Sequence, residues 1–229
     1  MFEFYKDQQQ GESATCYDSN MRILVFGDSI AYGSWAAEYG WVELLKHEAH
    51  RRTVKSQGST KLQVLNLGIG GDTSTKILHR MKGEIESRFS TSWPFVFLFS
   101  FGTNDQRTKD GRPETSIEQF EANIRAIIGE ASNYTDKILF VGTPPVGQPI
   151  AMLKGQEYSD ERVKQYEGRL ETVLKAENIL FVPIRPIFEQ AGLDGLYSYD
   201  HLHPGDAGHK LILKTALPKL DELMGAKTI

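Results

Sequence analysis

The chain has a single cysteine and none of the long apolar segments that mark a membrane protein. Cys16 is the only cysteine among 229 residues, so an internal disulfide is impossible and an oxidising compartment is not implied. The longest apolar run, FVFLFSF at residues 95–101, is far too short to cross a bilayer as a helix. Residues 1–20 are polar and lack the apolar stretch of a signal peptide. These absences predict a cytoplasmic protein without integral membrane contact.

The chain also lacks a strong charge of either sign, internal repeats and low-complexity linkers. Its 26 basic and 30 acidic residues give a formal net charge of −4, which does not indicate a nucleic-acid partner. Hydrophobic residues make up 40% of the chain, a normal fraction for a protein with a sizeable core. The length suits one domain. We therefore expect a polar segment over residues 1–20 and a single domain over residues 21–229.

Short apolar runs alternate with longer amphipathic stretches along the chain. The runs cover residues 22–27, 62–68, 95–102, 137–143 and 179–184. Most of them are continuously apolar, as is typical of parallel strands covered on both faces. The stretches between them carry apolar residues at helical spacing. The sequence thus predicts an α/β protein with three layers, α/β/α, and about five parallel strands.

Some boundaries of these elements can also be predicted. Thr115 and Glu118 form a candidate capping box at the start of one helix, and Pro218 should end or kink the last helix. Two loops are long, at residues 103–114 and 144–157. The second loop is either a surface connection or a wall of a pocket.

Residues that could take part in catalysis or binding follow four of the five predicted strands. They are Ser29 after the first strand, Gly70 and Gly71 after the second, Asn104 after the third, and Asp200 and His203 beyond the fifth. In an open parallel sheet, ligands bind outside the carboxyl ends of the strands. Each residue alone has an ordinary explanation as a helix cap or a turn former. Their convergence on one edge is what favours a functional site.

These residue types together suit acyl transfer. A serine hydroxyl needs a histidine to take its proton, and the histidine needs a carboxylate to orient it. Ser29 would be the nucleophile, His203 the base and Asp200 the orienting acid. The oxyanion would be bound by three donors, namely the backbone N–H groups of Ser29 and Gly71 and the side-chain amide of Asn104.

Four short motifs carry a resemblance to a known family. GDSI, GIGGDT, GTND and DHLH resemble the spaced blocks of the SGNH hydrolases, also called the GDSL-like lipase/esterase family, over roughly residues 21–217. The resemblance implies a flavodoxin-like sheet with strand order 2-1-3-4-5, the same five site residues, an ester of a small molecule, lipid or sugar as substrate, and no cofactor or metal. Ile30 stands where the family name has leucine, which is a conservative change.

Other interpretations remain open at this point. Asp200 with His201, His203 and His209 could bind zinc, although Ser29 and Asn104 would then have no role. A flavodoxin-like nucleotide- or flavin-binding protein would share the fold, but position 73 is threonine where the dinucleotide fingerprint needs glycine or alanine. A carbohydrate acetylesterase or a thioesterase could use the same triad.

Two aromatic residues are candidates for substrate binding. Tyr32 and Trp35 follow Ser29 closely in the chain, so either could shape an acyl pocket. Both could equally be ordinary packing residues. For Trp41, which lies on a predicted helical face, packing is the better interpretation.

Overall fold

Five short apolar segments form the central sheet. The structure is a computed structural model that describes residues 15–17, 20–147 and 156–228. The strands are β1 (Met21–Gly27), β2 (Leu62–Gly68), β3 (Phe95–Ser100), β4 (Ile138–Val141) and β5 (Leu180–Val182). All neighbouring strands are parallel, and their order is β2-β1-β3-β4-β5. This confirms the predicted order 2-1-3-4-5, with β1 flanked by β2 and β3.

Seven helices surround the sheet in the described part of the chain. They are α1 (Ser29–Tyr32), α2 (Trp41–Lys55), α3 (Ser74–Glu86), α4 (Ile117–Ser132), α5 (Asp160–Ala176), α6 (Arg185–Ala191) and α7 (Asp206–Leu223). Two separate apolar clusters join them to the sheet, one with α2, α6 and α7 and the other with α3, α4 and α5. The fold therefore has the three layers that the sequence predicts.

The strand β1 shows why its sequence is continuously apolar. Successive side chains of a strand point to opposite faces. Ile23 and Val25 belong to the cluster with α2, α6 and α7, whereas Leu24 and Phe26 belong to the other. All four side chains are buried, so neither face of the strand tolerates a polar residue.

Short antiparallel strands lie outside the main sheet. Thr15–Cys16 pairs with Lys227–Thr228. Thr108–Lys109 pairs with Arg112–Pro113 on one side and with Gln156–Glu157 on the other. The second set joins the two long predicted loops to each other, although residues 148–155 of the loop 144–157 lie outside the described residues. Among the helices that the structure describes, none is long and apolar enough to cross a membrane.

The predicted cap of α4 is wrong, and of the two alternatives predicted for Pro218 the end of the helix is not observed. The cap of α4 is Ser116, whose side chain accepts a hydrogen bond from the Gln119 N–H at 3.2 Å. Thr115 is unavailable because it is buried and its own N–H donates to the Asp105 carbonyl at 3.0 Å. Pro218 does not end α7, which continues to Leu223. Leu220, two residues further on, is buried in the core, and this packing favours the continued helix.

Candidate active site

Ser29 lies at the sharp junction between β1 and α1. A Cβ atom on Gly27 would come within 2.3 Å of the Ala31 Cβ and 2.5 Å of the Ser100 carbonyl oxygen, so only glycine lets the helix fold back on the strand. The side chain of Asp28 caps α1, because its Oδ1 accepts the Ile30 N–H at 2.9 Å. Since Asp28 supplies the cap, the hydroxyl of Ser29 is not needed for it.

A tight loop before α7 presents an acid and a histidine to Ser29. One carboxylate oxygen of Asp200 accepts the backbone N–H groups of Leu202 and His203, both at 3.0 Å. The other oxygen lies 2.5 Å from His203 Nδ1. His203 Nε2 lies 2.8 Å from Ser29 Oγ. The structure thus joins the three predicted side chains, 174 positions apart at their extremes along the chain, in one hydrogen-bonded series.

The surroundings of Asp200 keep it ionised. Partial burial acts to raise its pKa, but the N–H groups of His203 and Leu202 and the His203 ring together lower that pKa below its usual value. A carboxylate facing Nδ1 favours the imidazole tautomer that carries its proton on Nδ1. Nε2 then presents a lone pair to the hydroxyl of Ser29. In this geometry, His203 Nε2 can accept a proton from the Ser29 hydroxyl.

The loop after β2 brings two glycines beside Ser29. A Cβ on Gly70 would lie 4.0 Å from the Ser29 Cβ. Gly71 has a left-handed backbone with φ of 78°, and a Cβ there would meet nothing within 4 Å. Glycine is therefore required at position 71 by its backbone conformation and not by crowding. Within the described residues, the N–H groups of Ser29 and Gly71 donate to no other protein atom.

Asn104 connects three loops at the same edge of the sheet. It is buried, and its Nδ2 donates to the Asp72 carbonyl at 3.0 Å and, more weakly, to Asp28 Oδ2 at 3.4 Å. Its Oδ1 accepts a hydrogen bond from the Tyr158 hydroxyl at 3.1 Å. The long contact with Asp28 leaves one N–H of this amide only loosely held.

Buried carboxyl groups lie behind this edge. Burial, with a smaller contribution from nearby carboxylates, raises the pKa of Asp28 to about 7. Burial also raises the pKa of Asp105 to about 6, although Ser74 donates to it from its N–H at 3.0 Å and its hydroxyl at 2.5 Å. Asp105 therefore holds the start of α3 against the loop that carries Asn104, a structural role beyond that of a simple turn former.

An exposed aromatic ring, that of Trp35, lies beside His203. Trp35 has a left-handed backbone with φ of 66°, and its ring meets the His203 ring edge-on at 6.1 Å. The ring centroid of Tyr199 lies 6.1 Å from that of Trp35. The exposed fractions are 55% for Trp35, 61% for Tyr32 and 72% for Tyr199. Trp41, in contrast, is fully buried in α2, which confirms its interpretation as a packing residue.

The histidines of the same stretch do not converge on a metal site. His209 is buried in α7, where its Nδ1 accepts the Trp41 N–H at 3.3 Å and burial lowers its pKa to about 4. His203 faces Asp200 and Ser29. Across residues 15–17, 20–147 and 156–228, no group of three or more His, Cys, Asp and Glu side chains is arranged to hold a metal ion.

The sequence profile of the GDSL-like lipase/acylhydrolase family matches residues 25–211. The chain belongs to this family. It is therefore an ester-hydrolysing enzyme, and the resemblance carried by the four short motifs is confirmed. A comparison with curated protein sequences gives no match.

Solved structures share the fold of this GDSL-like hydrolase. A lipase/acylhydrolase from Enterococcus faecalis has a TM-score of 0.69 and 23% identity, over 91% of this chain and 98% of that one. A G-D-S-L family lipolytic protein from Veillonella parvula has a TM-score of 0.64 and 20% identity, over 86% and 97%. An acetylxylan esterase from Geobacillus stearothermophilus has a TM-score of 0.65 and 19% identity, over 88% and 94%.

Sequence reasoning did not find every polar group at the site of this GDSL-like hydrolase. Arg80 pairs with Asp72 at 2.8 Å and also donates to the Leu67 carbonyl at 2.5 Å, so it ties the glycine loop to the end of β2. Tyr158 reaches Asn104 from the far end of the loop 144–157. No local motif marks either residue, because each acts across a gap in the sequence.

Proposed function

We propose that this GDSL-like hydrolase cleaves carboxylic esters through an acyl-enzyme formed on Ser29. The observation that carries the proposal is the series Ser29–His203–Asp200, with distances of 2.8 and 2.5 Å. Such a series is what a serine nucleophile needs for activation.

In the first half of the reaction, Ser29 Oγ attacks the ester carbonyl carbon while His203 Nε2 takes the hydroxyl proton. The carbonyl π electrons move to the oxygen and form a tetrahedral oxyanion. When this intermediate collapses, the bond to the alcohol oxygen breaks and His203 returns the proton to the leaving group. Asp200, held ionised by the N–H groups of its own loop, stabilises the imidazolium in between.

In the second half, water replaces the alcohol. His203 takes a proton from the water while the water oxygen attacks the acyl carbon. The second intermediate then releases the acid, and His203 returns the proton to Ser29 Oγ. The oxyanion of each intermediate would be bound by the N–H groups of Ser29 and Gly71, which donate to no protein atom among the described residues, and by Asn104 Nδ2. Donors fixed in advance in this way stabilise the transition state more than the substrate.

The exposed aromatic rim favours one substrate class within the esters. Trp35 presents an open ring surface beside His203. Such a surface suits the apolar C–H face of a sugar ring, whereas a long acyl chain is better served by an enclosed apolar pocket. We therefore favour an acetylated carbohydrate over a lipid or a thioester as substrate.

The nucleophile can be tested with a fluorophosphonate. One equivalent of label should attach to Ser29, identified by mass spectrometry of the peptide adduct, because labelling needs the same proton transfer to His203. The Ser29→Ala variant should take up no label and hydrolyse no ester. Attachment at another residue, or no reaction in folded protein, would show that the three residues do not act as a triad.

A further inference from the structure

We infer that Tyr158 is a positioning residue, which fixes the amide orientation of Asn104 and strengthens it as an oxyanion donor. The inference rests on the proposed function, in which Asn104 Nδ2 binds the oxyanion. It assigns a role in catalysis to a residue that contacts neither Ser29 nor His203 in the hydrogen bonds of the described chain.

The hydrogen bonds of the Tyr158 hydroxyl define the direction of its single proton. Arg107 Nη1 lies 3.2 Å from this oxygen, and Asn104 Oδ1 lies 3.1 Å from it. A guanidinium can only donate, so the hydroxyl must accept from Arg107. Its own proton is then directed to Asn104. A hydroxyl that accepts from a cation is also a stronger donor, because linked hydrogen bonds polarise one another.

This bond decides which end of the Asn104 amide faces the reaction. With Oδ1 held by Tyr158, Nδ2 faces the Asp72 carbonyl and Asp28 Oδ2, which are both acceptors. The flipped amide would place an oxygen against those acceptors and lose these hydrogen bonds. The contacts at Oδ1 and the contacts at Nδ2 therefore favour one and the same orientation of the Asn104 amide. In addition, the hydrogen bond donated to Oδ1 polarises the N–H groups that would bind the oxyanion.

The segment that carries Tyr158 is anchored on the loop that carries Asn104. Gln156–Glu157 pairs with Thr108–Lys109, and Arg162 Nε donates to the Gln106 carbonyl at 3.1 Å. Burial, only partly offset by Arg107, raises the pKa of Tyr158 above its ordinary value. The hydroxyl therefore keeps the proton that it must donate.

A double-mutant cycle tests the inference. Tyr158→Phe removes one hydroxyl and should lower kcat about 3- to 30-fold with little change in KM, as expected for one lost hydrogen bond in the transition state. Asn104→Ala should lower kcat about 10²- to 10³-fold. If Tyr158 acts through Asn104, the double variant should be no slower than Asn104→Ala within about twofold.

Tyr17 provides a matched control. Its hydroxyl also accepts a hydrogen bond from an arginine, Arg52, and donates to a side-chain oxygen, Asp221 Oδ1, at 2.8 Å. It lies just before β1, away from the carboxyl ends of the strands that carry Ser29. Tyr17→Phe should lower the melting temperature by an amount similar to Tyr158→Phe but leave kcat unchanged.

Several outcomes would overturn the inference. A full Tyr158→Phe effect that persists in the Asn104→Ala background, or an effect confined to KM, would mean that Tyr158 does not act through Asn104. An unchanged kcat in Asn104→Ala, with Ser29 still labelled by fluorophosphonate, would remove the oxyanion role and the inference with it but leave the acyl-enzyme in place. If fluorophosphonate did not label Ser29 in the unaltered protein, the proposed function itself would be refuted.

Discussion

At the scale of single residues, a polar side chain of the candidate site can divide its hydrogen bonds between the local backbone and another side chain. Asp200 is the clearest case, because one of its oxygens accepts two backbone N–H groups and the other faces the His203 ring. The spacing of three residues between acid and histidine makes this possible, since the turn directs both the N–H and the ring of His203 at the same carboxylate. A short motif therefore encodes the pair completely.

The first prediction separates the two histidines of that motif. His203→Ala should lower kcat by about 10³-fold or more, because the serine loses its base. His201→Asn should change kcat by less than about twofold. Asparagine is the suitable replacement because His201 has a left-handed backbone with φ of 56°, which asparagine tolerates well.

Steady-state kinetics of both variants, with melting temperatures to show that each is folded, would check this prediction. A large loss of kcat in His201→Asn together with an active His203→Ala would show that the assignment of the base to His203 is wrong.

Short motifs also limit what can be predicted at this scale. Ser29, Asn104 and His203 were found from the sequence because each stands in a compact pattern at a strand end. Tyr158 and Arg80 were not, since the hydroxyl of Tyr158 meets Asn104 54 positions away and Arg80 donates to Leu67 13 positions away. Such contacts depend on how loops pack and leave no regular spacing in the sequence.

At the scale of elements, the main sheet was predictable because its physics is local. Continuous apolar runs predict strands covered on both faces, and all five runs form strands. The order of these strands was implied by the family resemblance and not by the runs themselves. The short strand Gln156–Glu157 was not predictable, since it is two residues long and polar. The start of α4 was misplaced by one residue because Thr115 and Ser116 are both good caps, and the burial of Thr115 decides between them.

The second prediction concerns the loop between α1 and α2, which carries Trp35. Trp35→Asn keeps the left-handed backbone but removes the ring beside His203. If the ring stacks on a sugar, KM for acetylated oligosaccharides should rise about three- to tenfold. kcat/KM for ethyl acetate, which has no ring to stack, should change far less.

A panel of both esters would check the prediction, with Phe89→Ala as a control. Phe89 is also exposed, but it packs near Phe95, the first residue of β3, at the amino end of the strand. Equal losses on both esters in Trp35→Asn would mean that Trp35 supports the position of His203 and not the substrate class.

At the scale of the whole molecule, three acids stand out by a raised pKa, of which Asp28 and Asp105 are buried and Glu167 is partly buried. Burial is the first cause of the raised pKa in each case, to about 7 for Asp28, about 6 for Asp105 and about 7 for Glu167. Asp28 and Asp105 belong to the edge that holds Ser29 and Asn104. Glu167 is elsewhere, on α5, where it pairs with the buried Arg185 at 3.1 Å. The amino-acid composition could not predict the raised pKa values of these acids, because it does not distinguish a buried Asp or Glu from an exposed one.

The last prediction follows from the raised pKa of Glu167. Because the folded-state pKa of about 7 exceeds the ordinary value of 4.5, the folded protein holds this proton more tightly than the unfolded chain. The stability that the protonated group contributes is complete below pH 4.5 and is lost as the pH rises toward 7. Glu167→Gln cannot ionise. We compare the free energy of unfolding of this variant with that of the unaltered protein. As the pH rises from 4.5 to about 7, the difference, variant minus unaltered protein, should increase by about 3 kcal/mol.

Urea unfolding at a series of pH values would measure this difference. Glu161→Gln, an exposed position in the first turn of the same helix, serves as the control and should show a difference that hardly changes with pH. In the described chain Glu167 is hydrogen-bonded to Arg185 and not to Ser29, Asp200 or His203, so we expect the same kcat in both variants. A pH-independent difference for Glu167→Gln would mean that its carboxylate is ionised in the fold, with Arg185 fully offsetting the cost of burial.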